Sequence, residues 1–158
     1  HGCLGNMYDA VEREMPDRVF HLGDHDDDAV ALQQEFPKLL FHYVKGNNDY
    51  RVDTPSQKLV RLGGKTLLLT HGHKQRVYWN YDTISYWAEE QGADVVLFGH
   101  THMPLWEAGG RVALFNPGSI SLPRGGTLPT FGILTMEDGR IEGAIMEYWN
   151  KEHFKRIN

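Results

Sequence analysis

A single cysteine, Cys3, occurs in the 158 residues, so no internal disulfide can staple the chain and a stable fold must rest on its core. Nor does any apolar run approach the ~20 residues that a membrane-spanning helix needs. No charged-then-apolar leader stands at the start, and the expectation is a cytoplasmic protein without membrane contact. Positive charge is scarce and scattered: 16 Lys and Arg stand against 21 Asp and Glu, a net charge of −5, with no basic block. That balance argues against a nucleic-acid footprint, because a polyanion is repelled unless bound cations reverse the local field. Repeats, low-complexity tracts and linkers are also missing.

What the chain does have is 41% hydrophobic residues, enough for one substantial core in a length too short for two ordinary domains. A single domain over 1–158 is expected. Helical spacing over 6–15, with Asn6 as the cap and Pro16 as the stop, is followed by a strand over 18–22. Asp26-Asp27-Asp28 then opens a second helix through Phe36, placing acids where the helix dipole favours them. A strand over 39–44 follows, so helix, strand, helix, strand suggests parallel strands joined by crossovers. From residue 57 the texture changes. Strands over 57–62 and 65–70 flank Gly63-Gly64, a hairpin signal; a helix capped at Asp82 or Thr83 runs through Gln91, closed by Gly92. After the Val95 strand, short strands at 105–108, 111–115, 130–135 and 140–148 predict a mostly antiparallel second half. The glycine- and proline-bearing stretch over 116–129 reads as a functional loop.

The most informative stretch is Val95-Val96-Leu97-Phe98-Gly99-His100-Thr101-His102. Four apolar residues ending at a glycine read as a buried strand, and a His-x-His step in extended backbone puts both rings on one side of the chain. Imidazole is the commonest side-chain ligand for transition metals. The same design recurs in Phe20-His21-Leu22-Gly23-Asp24, Tyr43-Val44-Lys45-Gly46-Asn47 and Leu67-Leu68-Leu69-Thr70-His71. Four strand ends thus deliver Asp, Asn, His and His-x-His to loops.

Taken together, His1-Gly2, Gly23-Asp24, Gly46-Asn47-Asn48-Asp49, His71-Gly72-His73 and Gly99-His100-Thr101-His102, with Asn116-Pro117-Gly118-Ser119, resemble the motifs of the calcineurin-like metallophosphoesterases, and within them the small stand-alone bacterial and archaeal phosphodiesterases. The resemblance implies an α/β (α+β) fold, a four-layer αββα sandwich of two mixed sheets flanked by helices. It implies two divalent metal ions, manganese first, with iron, zinc or nickel as alternatives. His1, Asp24 and His102 would hold one, and Asp24, Asn47, His71 and His100 the other, with Asp24 bridging. The implied activity is hydrolysis of a small phosphoester, a phosphodiester first, by a metal-bridging hydroxide. Asn48 and His73 take catalytic positions, and His25, Asn48 and His73 substrate-binding ones. Two departures stand out. The family's first aspartate and the strand carrying it are not in this sequence, so the domain is expected to lack its first strand. Asn48 replaces a histidine that many members use on the leaving group.

Other readings apply to the remaining features. Asp26, Asp27 and Asp28 are explained by the helix start, His21 and His42 by structural roles within strands, His153 by a polar tail and Cys3 by packing. Tyr78, Trp79, Tyr81, Tyr86 and Trp87 are dense enough for a substrate wall or a contact in a homo-oligomer. A metal-binding interaction scaffold, resembling the retromer subunit of this fold, is the alternative function. A metallo-β-lactamase-type hydrolase is a poorer third, since no Asp-His follows His71-Gly72-His73.

Overall fold

The computed structural model describes residues 2–50 and 53–158. It begins with helix α1 (Leu4–Glu14), strand β1 (Arg18–His21), helix α2 (Asp26–Glu35) and strand β2 (Leu40–Tyr43). Pro16 cannot continue α1, and Met15 closes it in the left-handed region with φ 43° and an N–H bond to Val11 O. Asn6 does not cap this helix. It lies within the first turn, and its amide donates to Ile120 O at 3.0 Å, tying α1 to the 116–129 loop. α2 carries three acids in its first turn and forms the crossover that makes β1 and β2 parallel, Arg18 opposite Leu40.

The next strands are β3 (Gln57–Leu62) and β4 (Lys65–Thr70), followed by helix α3 (Asp82–Glu90), then β5 (Val95–Leu97), β6 (Pro104–Glu107) and β7 (Ala113–Pro117). They form one mixed sheet in the order β3-β4-β5-β7-β6. Its hairpin turns on Gly63 and Gly64 with φ 57° and 76°, the left-handed pair that a two-residue turn requires. The remaining strands, β8 (Thr130–Glu137), β9 (Arg140–Asn150) and β10 (His153–Arg156), make an antiparallel meander.

Alternation along the central strands sorts the core into two layers. Leu68, Val96 and Leu114 face α3 with Ile84 and Ala88. Leu67, Leu69, Val95, Leu97 and Phe115 face the other way, against Phe20, Leu134 and Ile145. The mixed sheet therefore lies between α3 and a second sheet layer. That layer contains the β1-β2 pair and the β8-β9-β10 meander, with α1 and α2 outside the pair. This is the expected layering. His153, read as part of a polar tail, instead opens strand β10, in which Phe154 packs on Phe131 and Tyr148 at 5.4 and 5.3 Å and Arg13 lies 4.3 Å over its ring. Nδ1 of His21 and of His42 is buried with no hydrogen-bond partner among the described residues. His42 instead stacks on Phe20 at 5.4 Å and meets Arg18 through Nε2.

Among the described residues, β1 pairs only with β2, and β8 only with β9. The unpaired edges of β1 and β8 line one cavity of about 630 Å³, together with Met7 and Val11 of α1 and Leu97 and Phe115 of the mixed sheet. The same cavity reaches Asp24, His71, His100 and His102. No helix among the described residues is long and apolar enough to cross a membrane.

Candidate metal centre

The loops leaving β1, β2, β4 and β5 bring their polar residues to one place, which buried strands alone would not do. Asp24, His25, His100 and His102 all have positive φ, between 59° and 66°. Such backbone costs on the order of 1–3 kcal/mol per residue and persists where the surroundings impose it. The loops also touch. A Cβ on Gly23 would stand 2.6 Å from Gly46 N and 2.8 Å from His71 Nδ1, and one on Gly46 would collide with the Asp24 carboxylate. Asp49 locks them, accepting from Asp26 N at 2.8 Å and Gly46 N at 2.7 Å.

The ring orientations follow from backbone carbonyls, which can only accept. His71 Nδ1 must donate to Leu22 O at 2.7 Å, and His102 Nδ1 to Leu122 O at 2.8 Å. Each ring is then left with Nε2 as its lone pair, the usual way in which a histidine is prepared for a metal. His71 Nε2 lies 3.1 Å from Asn47 Oδ1, 3.5 Å from Asp24 Oδ1 and 3.2 Å from His100 Nδ1. Two oxygen acceptors thus face a nitrogen acceptor. That arrangement is repulsive on its own and becomes favourable around a cation.

Electrostatics agree. Burial lowers His71, His73, His100 and His102 below the ordinary histidine value, so each is neutral near pH 7. Burial alone would raise Asp24, but His71, the two Asn48 hydrogen bonds and His100 outweigh it, and the carboxyl shifts down. An ionised carboxylate, neutral imidazoles and an amide oxygen make a nitrogen and oxygen set suited to manganese, iron or zinc. Donors about 2.1 Å from one ion stand about 3.0–3.4 Å apart in tetrahedral or octahedral geometry; Asn47 Oδ1 and His100 Nδ1 fall within that range of His71 Nε2 and Asp24 Oδ1 lies just beyond it. Among the described residues no three His, Cys, Asp or Glu side chains converge on an ion by themselves. Asn47 Oδ1 is a further oxygen donor beside His71 Nε2.

The other expected residues fall out as follows. His1 lies outside the described residues. His25 is exposed at the α2 start. His73 is in the cluster, its ring 5.4 Å from His71 and 6.1 Å from His100, with Nδ1 buried and without a hydrogen-bond partner among the described residues. Asn48 lies on Asp24, donating from its backbone N–H to Oδ1 at 3.0 Å and from its amide to Oδ2 at 2.9 Å. Of the aromatics, Tyr78 reaches the site: its hydroxyl donates to His100 O at 3.0 Å and its ring lies 4.8 Å from that imidazole. Sequence reasoning gave no role to Asp49, although it sits in the Gly-Asn motif, or to Asn116. The buried Asn116 amide holds Gly99 O and Thr101 Oγ1, each at 3.0 Å, beneath the two histidines. Arg124 carried no sequence signal at all.

Strand-end loops that gather Asp, Asn and His at the edge of two packed sheet layers define the architecture of a metallophosphoesterase. The chain belongs to the calcineurin-like phosphoesterase superfamily, whose domain model matches residues 3–139. It is 37% identical over 123 residues to the probable metallophosphoesterase YsnB of Bacillus subtilis (strain 168), covering 77% of this chain and 70% of that one. It is also 37% identical over 99 residues to the phosphodiesterase YfcE of Escherichia coli (strain K12), covering 58% of this chain and 50% of YfcE. The fold matches Vps29 of Entamoeba histolytica, solved in complex with Zn²⁺, with a TM-score of 0.78 at 18% identity over 96% of this chain and 87% of that one.

Proposed function

We propose that this domain hydrolyses small phosphodiesters with two divalent ions held at the gathered loops, manganese first, with iron, zinc or nickel able to substitute. The observation that carries the reading is the convergence of Asp24 Oδ1, Asn47 Oδ1 and His100 Nδ1 on the His71 Nε2 lone pair. Asp24, Asn47, His71 and His100 would hold one ion, and Asp24 and His102, with His1, the other. Ions bound there supply Lewis acidity toward a phosphoryl oxygen and lower the pKa of a water. The chain's own residues do the rest. Carbonyls of Leu22 and Leu122 hold two imidazoles in the donor-ready tautomer, and Asn48 keeps Asp24 ionised and oriented. His73, in the histidine cluster, and His25, at the start of α2, are proposed to meet the phosphoryl group. With its amide, Asn48 can offer the leaving oxygen a hydrogen bond but no proton, which suits a singly charged diester better than a monoester dianion. The name of YfcE is consistent with that preference. The test is hydrolysis of an aryl phosphodiester and its monoester with and without added Mn²⁺.

The domain is also proposed to accept one further strand between β1 and β8. Support comes from the two facing unpaired edges and the cavity between them. A scaffold function like that of the retromer subunit is less well supported, since every expected ligand position from Asp24 onward is filled.

A further inference from the structure

We infer that Arg124 is a substrate-binding residue that grips the phosphoryl group at the mouth of the site, held in place by Tyr78. This rests on the phosphoesterase reading above and deepens it. The loop carrying Arg124 is fastened to the candidate ligand His102 from both sides: His102 Nδ1 donates to Leu122 O at 2.8 Å, and Arg124 N donates back to His102 O at 3.2 Å. Ser119 Oγ accepts from Leu122 N at 2.9 Å and Thr127 Oγ1 donates to Arg124 O at 3.0 Å, which hold the segment around the arginine. The guanidinium is exposed but not loose. One arm donates to the Tyr78 hydroxyl, which in turn donates to His100 O at 3.0 Å.

Among the described residues no carboxylate lies within ion-pair reach of Arg124. One arm of its fork is used by Tyr78, so the remaining N–H groups are free for an anion arriving between Tyr78 and the histidines. A guanidinium offers parallel donors matched to two phosphoryl oxygens, and it keeps its charge at every working pH. In a chain of net charge −5, a cation at this mouth attracts a phosphate ester that the surface as a whole repels.

The experiment is calorimetric binding of inorganic phosphate to the full-length, Mn²⁺-loaded protein, with aryl diester kinetics alongside. Arg124→Gln should weaken phosphate binding on the order of ten- to a hundredfold, the range for losing hydrogen bonds to a charged group. KM should rise similarly while kcat changes less than threefold. Tyr78→Phe, which frees the guanidinium, should move both in the same direction by a smaller factor. Added guanidinium ion should partly rescue Arg124→Gly. Phosphate binding unchanged in Arg124→Gln, or a fall in kcat and Tm with KM unaltered, overturns the assignment even if the diester is hydrolysed. Phosphate binding that weakens in the variant of a protein showing no hydrolysis upholds it and removes the diesterase reading instead.

Discussion

Supplying a strand to the gap between β1 and β8 should stabilise the domain by several kcal/mol. A strand in a packed sheet occupies about 3.3 Å along its axis per residue, about 4.8 Å between neighbours and about 10 Å between layers, or roughly 160 Å³ per residue. A cavity of about 630 Å³ therefore takes about four residues by that measure, the length of β1 itself. Ladder hydrogen bonds on both edges contribute about 1 kcal/mol each, largely offset by about 1–2 kcal/mol per ordered residue. The net gain then comes from two apolar side chains buried toward Leu97 and Phe115, at about 2 kcal/mol each. About 4 kcal/mol corresponds to a rise in Tm of about 8–16 °C for a domain of this size. The assay is thermal unfolding of the 158-residue chain beside one with a designed apolar strand fused at its N-terminus, with amide exchange read at β1 and β8. Equal Tm values and unchanged exchange at both edges would refute the reasoning.

Further outcomes follow from single positions. Introducing Asn48→His adds a group able to protonate a leaving oxygen, so the monoester-to-diester ratio of kcat/KM should rise, by at most about 10²–10⁴-fold; an unchanged ratio removes the role given to this position. Burial lowers His21 to about 4, below its unfolded value, so the folded state resists its protonation. Its contribution is fully present above about pH 6.5 and is lost as pH falls toward 4, up to about 3 kcal/mol. Urea unfolding from pH 7 to 4 should show His21→Phe less acid-sensitive than wild type, and parallel pH curves would contradict this. A Cβ at position 46 has no room beside Asp24, so Gly46→Ala should impair metal uptake more than global stability, as read by metal content against Tm.

Much of the candidate site could be read from the sequence because each proposed ligand follows an apolar strand ending, and glycine at positions 23, 46 and 99 marks where loops approach one another. The hairpin at Gly63-Gly64 was equally legible, since its left-handed turn demands those residues. Strand β10 was not, because one half-buried aromatic, Phe154, in a polar four-residue run gives no period. The bond from Asn48 to Asp24 and the fastening of Arg124 to His102 join residues 24 and 22 positions apart, and nothing local encodes them. The expectation that Asn6 caps α1 failed for a related reason: its amide is taken up by Ile120 O, more than a hundred residues away.

The central claim is that ions bound at Asp24, Asn47, His71, His100 and His102 make this domain a phosphodiesterase. It is tested most directly by measuring metal content and aryl diester turnover on the same full-length preparations of wild type, Asp24→Asn and His100→Ala. Wild type should bind two divalent ions and turn over, while Asp24→Asn, which touches both proposed positions, should lose metal and nearly all turnover with its fold intact by circular dichroism. Near wild-type turnover in either variant after its metal is lost would contradict the claim.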